Sequence, residues 1–307
     1  MSDQPSPALS HDPLWPRTGG WPRPDGAEAD AALIGLPTRR TSLSPTHADA
    51  TPSAVRDALR RYSALAHVEG RGAVDLDEAL RIVDAGDIAE PDHGHDEDAA
   101  VAAVRALAER ARLVIALGGD NAATVPAALG AWGDGIASAG LITFDAHHDL
   151  RDGISNGSPV RRLIEAGLDG RRVVQIGIAD FANSLAYARR AQELGITVIP
   201  RDALHDRPIA DVVDEALAIA GAGGGAVHVD VDVDICDRAV APACPASVPG
   251  GLSAAELRRA VRRVTRDPRV RSLDLTEVDA TADTPDGRTV RLVATLVLEA
   301  LAGVAGR

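Results

Sequence analysis

Three side chains that could hold a cation, Asp145, His147 and Asp149, stand at alternating positions directly after the apolar run LITF at 141–144. Asp232 and Asp234 alternate in the same way beyond the run AVHV at 226–229, and Asp120 closes a third run, RLVIALGGD. While a backbone stays extended, residues i, i+2 and i+4 point the same way, so each set of acids shares a direction. Carboxylates crowded on one rim repel and raise one another's pKa unless a cation lies between them. Oxygen donors with a single imidazole suit Mn2+, whereas a structural zinc site normally uses thiolates. A bridging carboxylate could join two such ions, and a water shared by them would lose a proton and become a nucleophile. A helix cap or a solvated edge accounts equally well for any one of these acids. Two apolar runs that both end in spaced acids point to metal-assisted hydrolysis, because buried unpaired charge is expensive.

Such acids need a scaffold that delivers strand ends to one edge. From Ala31 onward, short apolar runs bounded by Gly, Pro or Asp alternate with helical stretches. The runs are AALIGL, RIVDAGD, RLVIALGGD, GLITF, RRVVQIGIAD, ITVIP, GGAVHVDVDVD and VRSLDLTEVD. Helices are predicted over about 51–62, 99–112, 123–131, 158–167, 184–194, 208–220, 253–266 and 289–303, the first capped by Thr51 with Pro52 at its first position. This alternation predicts crossover units and a largely parallel sheet covered on both faces, whose functional pocket lies outside the carboxyl ends of the strands. With neither a linker nor a repeat in the body, residues 30–307 read as one domain. Residues 1–29 carry Pro5, Pro7, Pro13, Pro16, Pro22 and Pro24 with Trp15 and Trp21 between them. Proline at that density leaves either an irregular arm, packed on the body or on a neighbouring subunit, or a free tail. His93 and His95, in the acidic tract PDHGHDED, read as solvent-facing residues.

A formal charge of −13 argues against nucleic acid and anionic membrane as partners. No apolar run approaches the roughly 20 residues that span a bilayer, and the N-terminus lacks a basic start followed by an apolar core. Cys236 and Cys244 are the only cysteines, too few for a disulfide framework and without a neighbouring His to activate a thiolate. A cytoplasmic, reducing location is the default expectation, with both thiols reduced and Cys236 buried.

The metal-type segments resemble those of the ureohydrolase family, which includes arginase, agmatinase and formimidoylglutamase, over nearly all of 31–303. Asp145-Ala146-His147-His148-Asp149 matches one family motif intact, and Asp232-Val233-Asp234, followed by Asp237 and PASVPGGLS, matches another. Gly118-Gly119-Asp120-Asn121 matches a third, with Asn121 where the family commonly has histidine. The resemblance implies an α/β fold, a three-layer α/β/α sandwich around a mainly parallel sheet. It also implies a di-manganese centre that activates the attacking water. Its metal ligands would be Asp145, His147, Asp149, Asp232 and Asp234, with Asn121 as a weaker oxygen donor. Asp149 would be the acid/base partner of that water. Glu277, in Glu277-Val278, would orient the substrate's planar nitrogen group. Family members are commonly oligomers, so a homo-oligomer is expected.

Within the family, SNGSPVRRL at 155–163 and VQIGIADFANS at 174–184 resemble the formimidoylglutamase branch, although Ala179 stands where that branch has arginine. Asn156 stands where arginase and agmatinase have histidine. The stretches TSLSPTHADATPSAVRDAL and DRAVAPACPASVPGG point the same way. The implied reaction is hydrolysis of N-formimidoyl-L-glutamate to L-glutamate and formamide. Arg151, Asn156, Gly157 and Glu277 would contact that small-molecule substrate, and Arg39, Arg40 and Arg161 are further cations for its two carboxylates. A different guanidino substrate, as for agmatinase, is the alternative, followed by a catalytically silent relative.

Overall fold

Strands that are buried on both faces need no polar alternation, and the apolar runs form such strands. The structure, a computed structural model, describes residues 11–92 and 96–307, so the loop histidines at 93 and 95 lie outside the described residues. The strands are β1 (Ala29–Leu36), β2 (Leu65–Val68), β3 (Gly72–Asp75), β4 (Ile82–Asp87), β5 (Ala111–Gly118), β6 (Gly140–Phe144), β7 (Val173–Ile178), β8 (Thr197–Pro200), β9 (Val227–Asp232) and β10 (Val270–Thr276). Eight of them make one sheet in the order β4-β1-β5-β10-β9-β6-β7-β8, and every pair in it is parallel. All carboxyl ends therefore open at one edge.

Helices cover both faces. One face packs the helices Thr51–Leu59, Ile209–Ala220, Ala254–Val264 and Arg288–Ala305 against Leu33, Ile115, Val229 and Leu273. The other packs Asp96–Ala108, Thr124–Trp132, Pro159–Glu165 and Leu185–Glu193 against Ile34, Val114, Leu141 and Val173. The result is the expected three-layer α/β/α sandwich. Among the described residues, no helix is long and apolar enough to cross a membrane.

Two local expectations needed revision. Thr51 is not the cap of its helix: a short 3-10 turn, Ala48–Ala50, leads in, and the Thr51 hydroxyl bonds the Val278 carbonyl. The helix expected over 99–112 starts earlier, at Asp96, and stops at Ala108, where the chain must turn into β5. The antiparallel hairpin of β2 and β3 was not anticipated, since strands of four half-exposed residues carry no apolar run.

Residues 11–28 have no regular structure and lie along the body. The Thr18 amide donates to the Tyr62 carbonyl, and both the Thr18 hydroxyl and Trp21 Nε1 donate to Asp77 Oδ1, at 3.1 and 2.8 Å. Trp21 packs against the core, whereas Trp15 is half exposed.

Candidate metal centre

The acids meet at the carboxyl edge of β5, β6, β9 and β10, but alternation along an extended strand is not what joins them. β6 ends at Phe144, the chain bends at Ala146 and His147, and Asp149 takes a left-handed backbone with φ of 53°. Beyond β9, Asp232 caps a 3-10 turn, Val233–Ile235, so Asp234 is reached by a helical step. Glu277, just past β10, is also left-handed, with φ of 61°. Non-glycine residues in this region carry strain that surrounding contacts must hold. Gly119 lets the β5 end approach its neighbour: a Cβ there would sit 2.1 Å from the Thr38 carbonyl oxygen.

Three of the buried carboxylates at this edge are tethered by one oxygen and leave the other for a ligand. Asp145 Oδ1 accepts from the His147 amide at 2.6 Å, Asp234 Oδ1 from the Ala146 amide at 3.0 Å, and Asp120 Oδ1 from the Ala122 amide at 3.1 Å. Their second oxygens are buried without a hydrogen-bond donor. His147 Nδ1 lies 2.8 Å from Asp234 Oδ2 and 3.6 Å from Asp145 Oδ1, close but not aligned for a hydrogen bond. Ligand atoms of Asp145, His147 and Asp234 thus fall within 4.8 Å of one another, a donor set of two oxygens and one nitrogen that fits a divalent cation. Orphaned buried acceptors are rare in native proteins, and a cation supplies what these lack.

The electrostatics agree. Burial, reinforced by Asp234, lifts the Asp145 carboxyl to about 7. Burial and the neighbouring acids hold Asp149 and Asp232 well above the usual carboxylate range. Burial pulls the His147 imidazolium down, but Asp145 and Asp234 outweigh it and raise the ring to about 11. Asp234 is lowered in return: the contact with His147 overcomes its burial. Two shifts then set the sign of stability against pH. Asp145 takes up a proton on folding between its usual 3.8 and about 7, and His147 between its usual 6.5 and about 11. Both contributions are lost as pH rises. Chelator-treated protein should therefore show a falling Tm from about pH 5 to about pH 9, with Mn2+ restoring most at the alkaline end. A flat or rising profile in thermal scans would show that other groups control the site.

A cavity of about 290 Å³ opens above these residues, lined in part by His147, Asp149, Asp232, Asp234, Arg151, Asn156, Gly157 and Glu277. Asn121 and Asn156 act here as braces. Asn121 Nδ2 donates to Asp149 Oδ2 at 2.6 Å, while its Oδ1 is occupied by the Thr124 and Thr276 hydroxyls, both at 2.8 Å. Its nitrogen, not its oxygen, faces the site. Asn156 Nδ2 donates to Glu277 Oε1 at 2.6 Å and its Oδ1 accepts from the Leu43 amide at 3.0 Å, so both ends of the side chain are in use. The Asn121 amide also donates to Glu277 Oε1, at 2.9 Å. Glu277 Oε2 has no hydrogen-bond partner among the described residues.

Of the candidate cations, Arg39 pairs with Asp49 at 3.3 Å, Arg40 with Glu90, and Arg161 with Glu165 at 2.5 Å. Arg151 makes no salt bridge among the described residues; its amide donates to the Gly157 carbonyl at 2.9 Å and its side chain crosses Gly157, where a Cβ would sit 2.7 Å from Arg151 Cδ. Both cysteines are free and buried, and burial pushes the Cys236 thiol up to about 12, far from a thiolate.

Several organising residues carried no signal of their role. His148 Nδ1 meets Gln175 Oε1 at 2.7 Å, and Asn183 ties the bend by accepting from the His148 amide at 3.0 Å and donating to the Ala146 carbonyl at 2.8 Å. Gln175 and Asn183 lie in VQIGIADFANS, which marks the branch without revealing what they do. Asp230 continues the acidic alternation of β9 downward, fully buried opposite Asp274, with neither oxygen hydrogen-bonded.

Comparison with known proteins places these features in a family. The arginase family profile matches residues 29–303. The formimidoylglutamase of Halalkalibacterium halodurans is 35% identical over 294 residues, covering 91% of this chain and 89% of that protein. The crystal structure of formimidoylglutamase from Bacillus subtilis superposes with a TM-score of 0.88 at 28% identity, covering 98% of this chain and 96% of that one. Proclavaminate amidino hydrolase from Streptomyces clavuligerus superposes at 0.81 with 26% identity, covering 95% and 97%. With its profile match spanning the whole sheet and every acid of the site, the chain belongs to the arginase family, the ureohydrolases.

Proposed function

We propose that this chain hydrolyses N-formimidoyl-L-glutamate to L-glutamate and formamide with two manganese ions. The observation that carries the substrate is Arg151: alone among the cations considered for this role it lies in the cavity without a carboxylate partner, above a cluster of acids. A substrate with two carboxylates finds its counter-charge there, and the H. halodurans relative bears the name of that activity.

Asp145, His147 and Asp234 would hold one ion, and Asp149 and Asp232 would complete the pair. Manganese, when bound, supplies the positive charge that makes a water acidic enough to attack at neutral pH. The chain's own residues do the rest. Glu277, fixed at Oε1 by the Asn121 amide and Asn156, offers Oε2 to the N–H groups of the planar amidine. Asp149, held by Asn121, takes the proton of the attacking water and returns it to the departing nitrogen. Asn121 serves as the brace of this acid/base group, and Asn156 and Gly157 shape the wall that presents Glu277 and Arg151.

The likeness to an amidino hydrolase keeps a guanidino acid as the second reading. Assaying N-formimidoyl-L-glutamate, arginine, agmatine, guanidinobutyrate and guanidinopropionate by product, with Mn2+ present, separates the two. The expected result is strong preference for the first. Preference for a guanidino acid or agmatine would defeat this substrate while leaving metal-dependent hydrolysis in place.

A further inference from the structure

The acidic tract PDHGHDED plays no part in the proposed reaction, yet its first acid reaches toward the cavity wall. Asp92, partly buried in the loop between β4 and the helix Asp96–Ala108, accepts three consecutive amides on Oδ2. They come from the loop after β1: Arg39 at 2.8 Å, Arg40 at 2.6 Å and Thr41 at 3.4 Å. Successive main-chain N–H groups that converge in this way form an anion nest, and a carboxylate fills it more strongly than a neutral acceptor. Residues 37–47 contain neither helix nor strand, and Ser42, Leu43 and Ser44 line the cavity. The ends of this loop are held elsewhere. The Thr38 hydroxyl donates to the Asp120 carbonyl at 2.8 Å, and the His47 amide to Asp279 Oδ2 at 2.8 Å. Its middle is fixed by Asp92 and by Asn156, whose amide donates to the Thr41 carbonyl at 3.3 Å and whose Oδ1 accepts from the Leu43 amide at 3.0 Å. Asn156 in turn donates to Glu277 Oε1 at 2.6 Å. Contacts therefore run unbroken from Asp92, through residues 39–43 and Asn156, to the carboxylate that receives the amidine.

We propose that Asp92 is a positioning residue that sets substrate affinity: by filling the nest at 39–41 it holds the cavity wall, and through Asn156 the Glu277 carboxylate, in the shape that binds substrate. The part played by Glu277 rests on the function proposed above; the tethering of the wall does not. Asp92 does not itself line the cavity. Glu277 keeps the Asn121 amide at 2.9 Å whether or not the loop is held, so losing Asp92 acts more on binding than on the chemical step. A loosened wall must be ordered each time substrate binds, and that cost falls on KM. An Asp92 that served folding alone would lower Tm and leave the kinetic constants of the folded protein untouched.

The test compares wild type, Asp92→Ala, Asp92→Asn, Asn156→Ala and the double variant Asp92→Ala/Asn156→Ala, all incubated with Mn2+. Amide hydrogen exchange and steady-state kinetics on N-formimidoyl-L-glutamate are the readouts. Exchange within 39–43 should quicken roughly tenfold or more in Asp92→Ala, while β5 and β9 keep their protection. KM should rise roughly ten- to thirtyfold, with kcat changed by less than about threefold and manganese content unchanged. Asp92→Asn keeps a neutral oxygen in the nest and should show smaller shifts in the same directions, which also serves if the alanine variant does not fold. Because Asp92 acts through Asn156, removing it from Asn156→Ala should raise KM by no more than about threefold further. Unchanged exchange across 39–43 in folded Asp92 variants would overturn the inference, since the nest would not hold the loop. Faster exchange with unchanged KM would overturn it as well, and so would KM effects that multiply in the double variant. Wild type that ignores N-formimidoyl-L-glutamate but turns over another of the five compounds would strike the substrate assignment alone, and KM for that compound then carries the same comparison.

Discussion

Asp232→Ala should lower kcat/KM by on the order of a thousandfold or more and strip most bound manganese, since a metal-activated water depends on its ligands. Asp232 ends β9 at 3% exposure, and its Oδ1 accepts from the Asp234 amide at 2.8 Å. It therefore has two jobs, donor and cap, which respond differently to substitution. Losing the cap costs about 1 kcal/mol. Losing the carboxyl removes the cost of holding an acid buried beside Asp234 and Asp145, the burial and neighbours that keep its pKa well above the usual range. The metal-free variant should then melt close to wild type or above it, while the rise in Tm on adding Mn2+ is lost. Asp232→Asn keeps the cap and deletes the charge, and should behave alike in turnover with a still smaller change in metal-free stability. Metal content, steady-state rates and thermal scans on these two proteins decide the matter. A variant that keeps its manganese and its turnover would exclude Asp232 as a ligand, and the second ion would need a different set of donors.

The sheet was legible because its strands are buried on both faces, so β5, β6 and β7 stand out as mainly apolar runs between turn residues, and β9 as a valine-rich one that alternates with His228 and the acids. The hairpin of β2 and β3 was not, having exposed residues in both strands. The site followed a similar division. Acids at strand ends pointed to a cation because two apolar runs both end in spaced carboxylates, although Asp120 and Asp232 also cap the turns that follow their strands. How they converge was hidden, because Asp149 and Glu277 reach the centre through left-handed backbone that nothing in a non-glycine residue signals. Side-chain roles were hidden for another reason. Asn156 lies in the cavity wall as expected, yet its partners Leu43 and Glu277 are 113 and 121 residues away in the chain, and only the fold shows that both its ends are occupied. Arg40 stood among the further cations, behind Arg151, and its partner Glu90, 50 residues on, shows only in the fold. Asp230 reads as one more residue of the β9 run; only its burial opposite Asp274 sets it apart, and burial is a property of packing.

Arg151→Glu should depress kcat/KM for N-formimidoyl-L-glutamate by roughly a hundredfold or more while leaving the manganese content unchanged, because like charges in a narrowing cleft cost several kcal/mol. Arg151 follows Leu150 directly beyond the metal motif, lines the cavity, and has no acidic partner to move with it. Its amide and carbonyl are both used, by Gly157 and by Arg161 Nε at 2.6 Å, so the main chain at this position is fixed and a substitution acts through the side chain. In the open cavity the guanidinium is hydrated and screened, and its attraction grows only as the substrate displaces water. The loss should therefore divide between KM and kcat: part is simple binding, and part is the binding energy that seats the amidine against Glu277. Arg151→Gln removes attraction without adding repulsion and should fall between wild type and the glutamate variant. Agmatine, cationic at its far end, should gain in Arg151→Glu, because the new carboxylate is the partner it lacks in wild type. The same five-substrate assay, run on all three proteins with metal analysis in parallel, reads each of these effects. Equal losses for acidic and cationic substrates would show that Arg151 shapes the cavity without sensing charge. Retained activity on the acidic substrate would move its carboxylates to another part of the rim and withdraw the observation on which the substrate assignment rests.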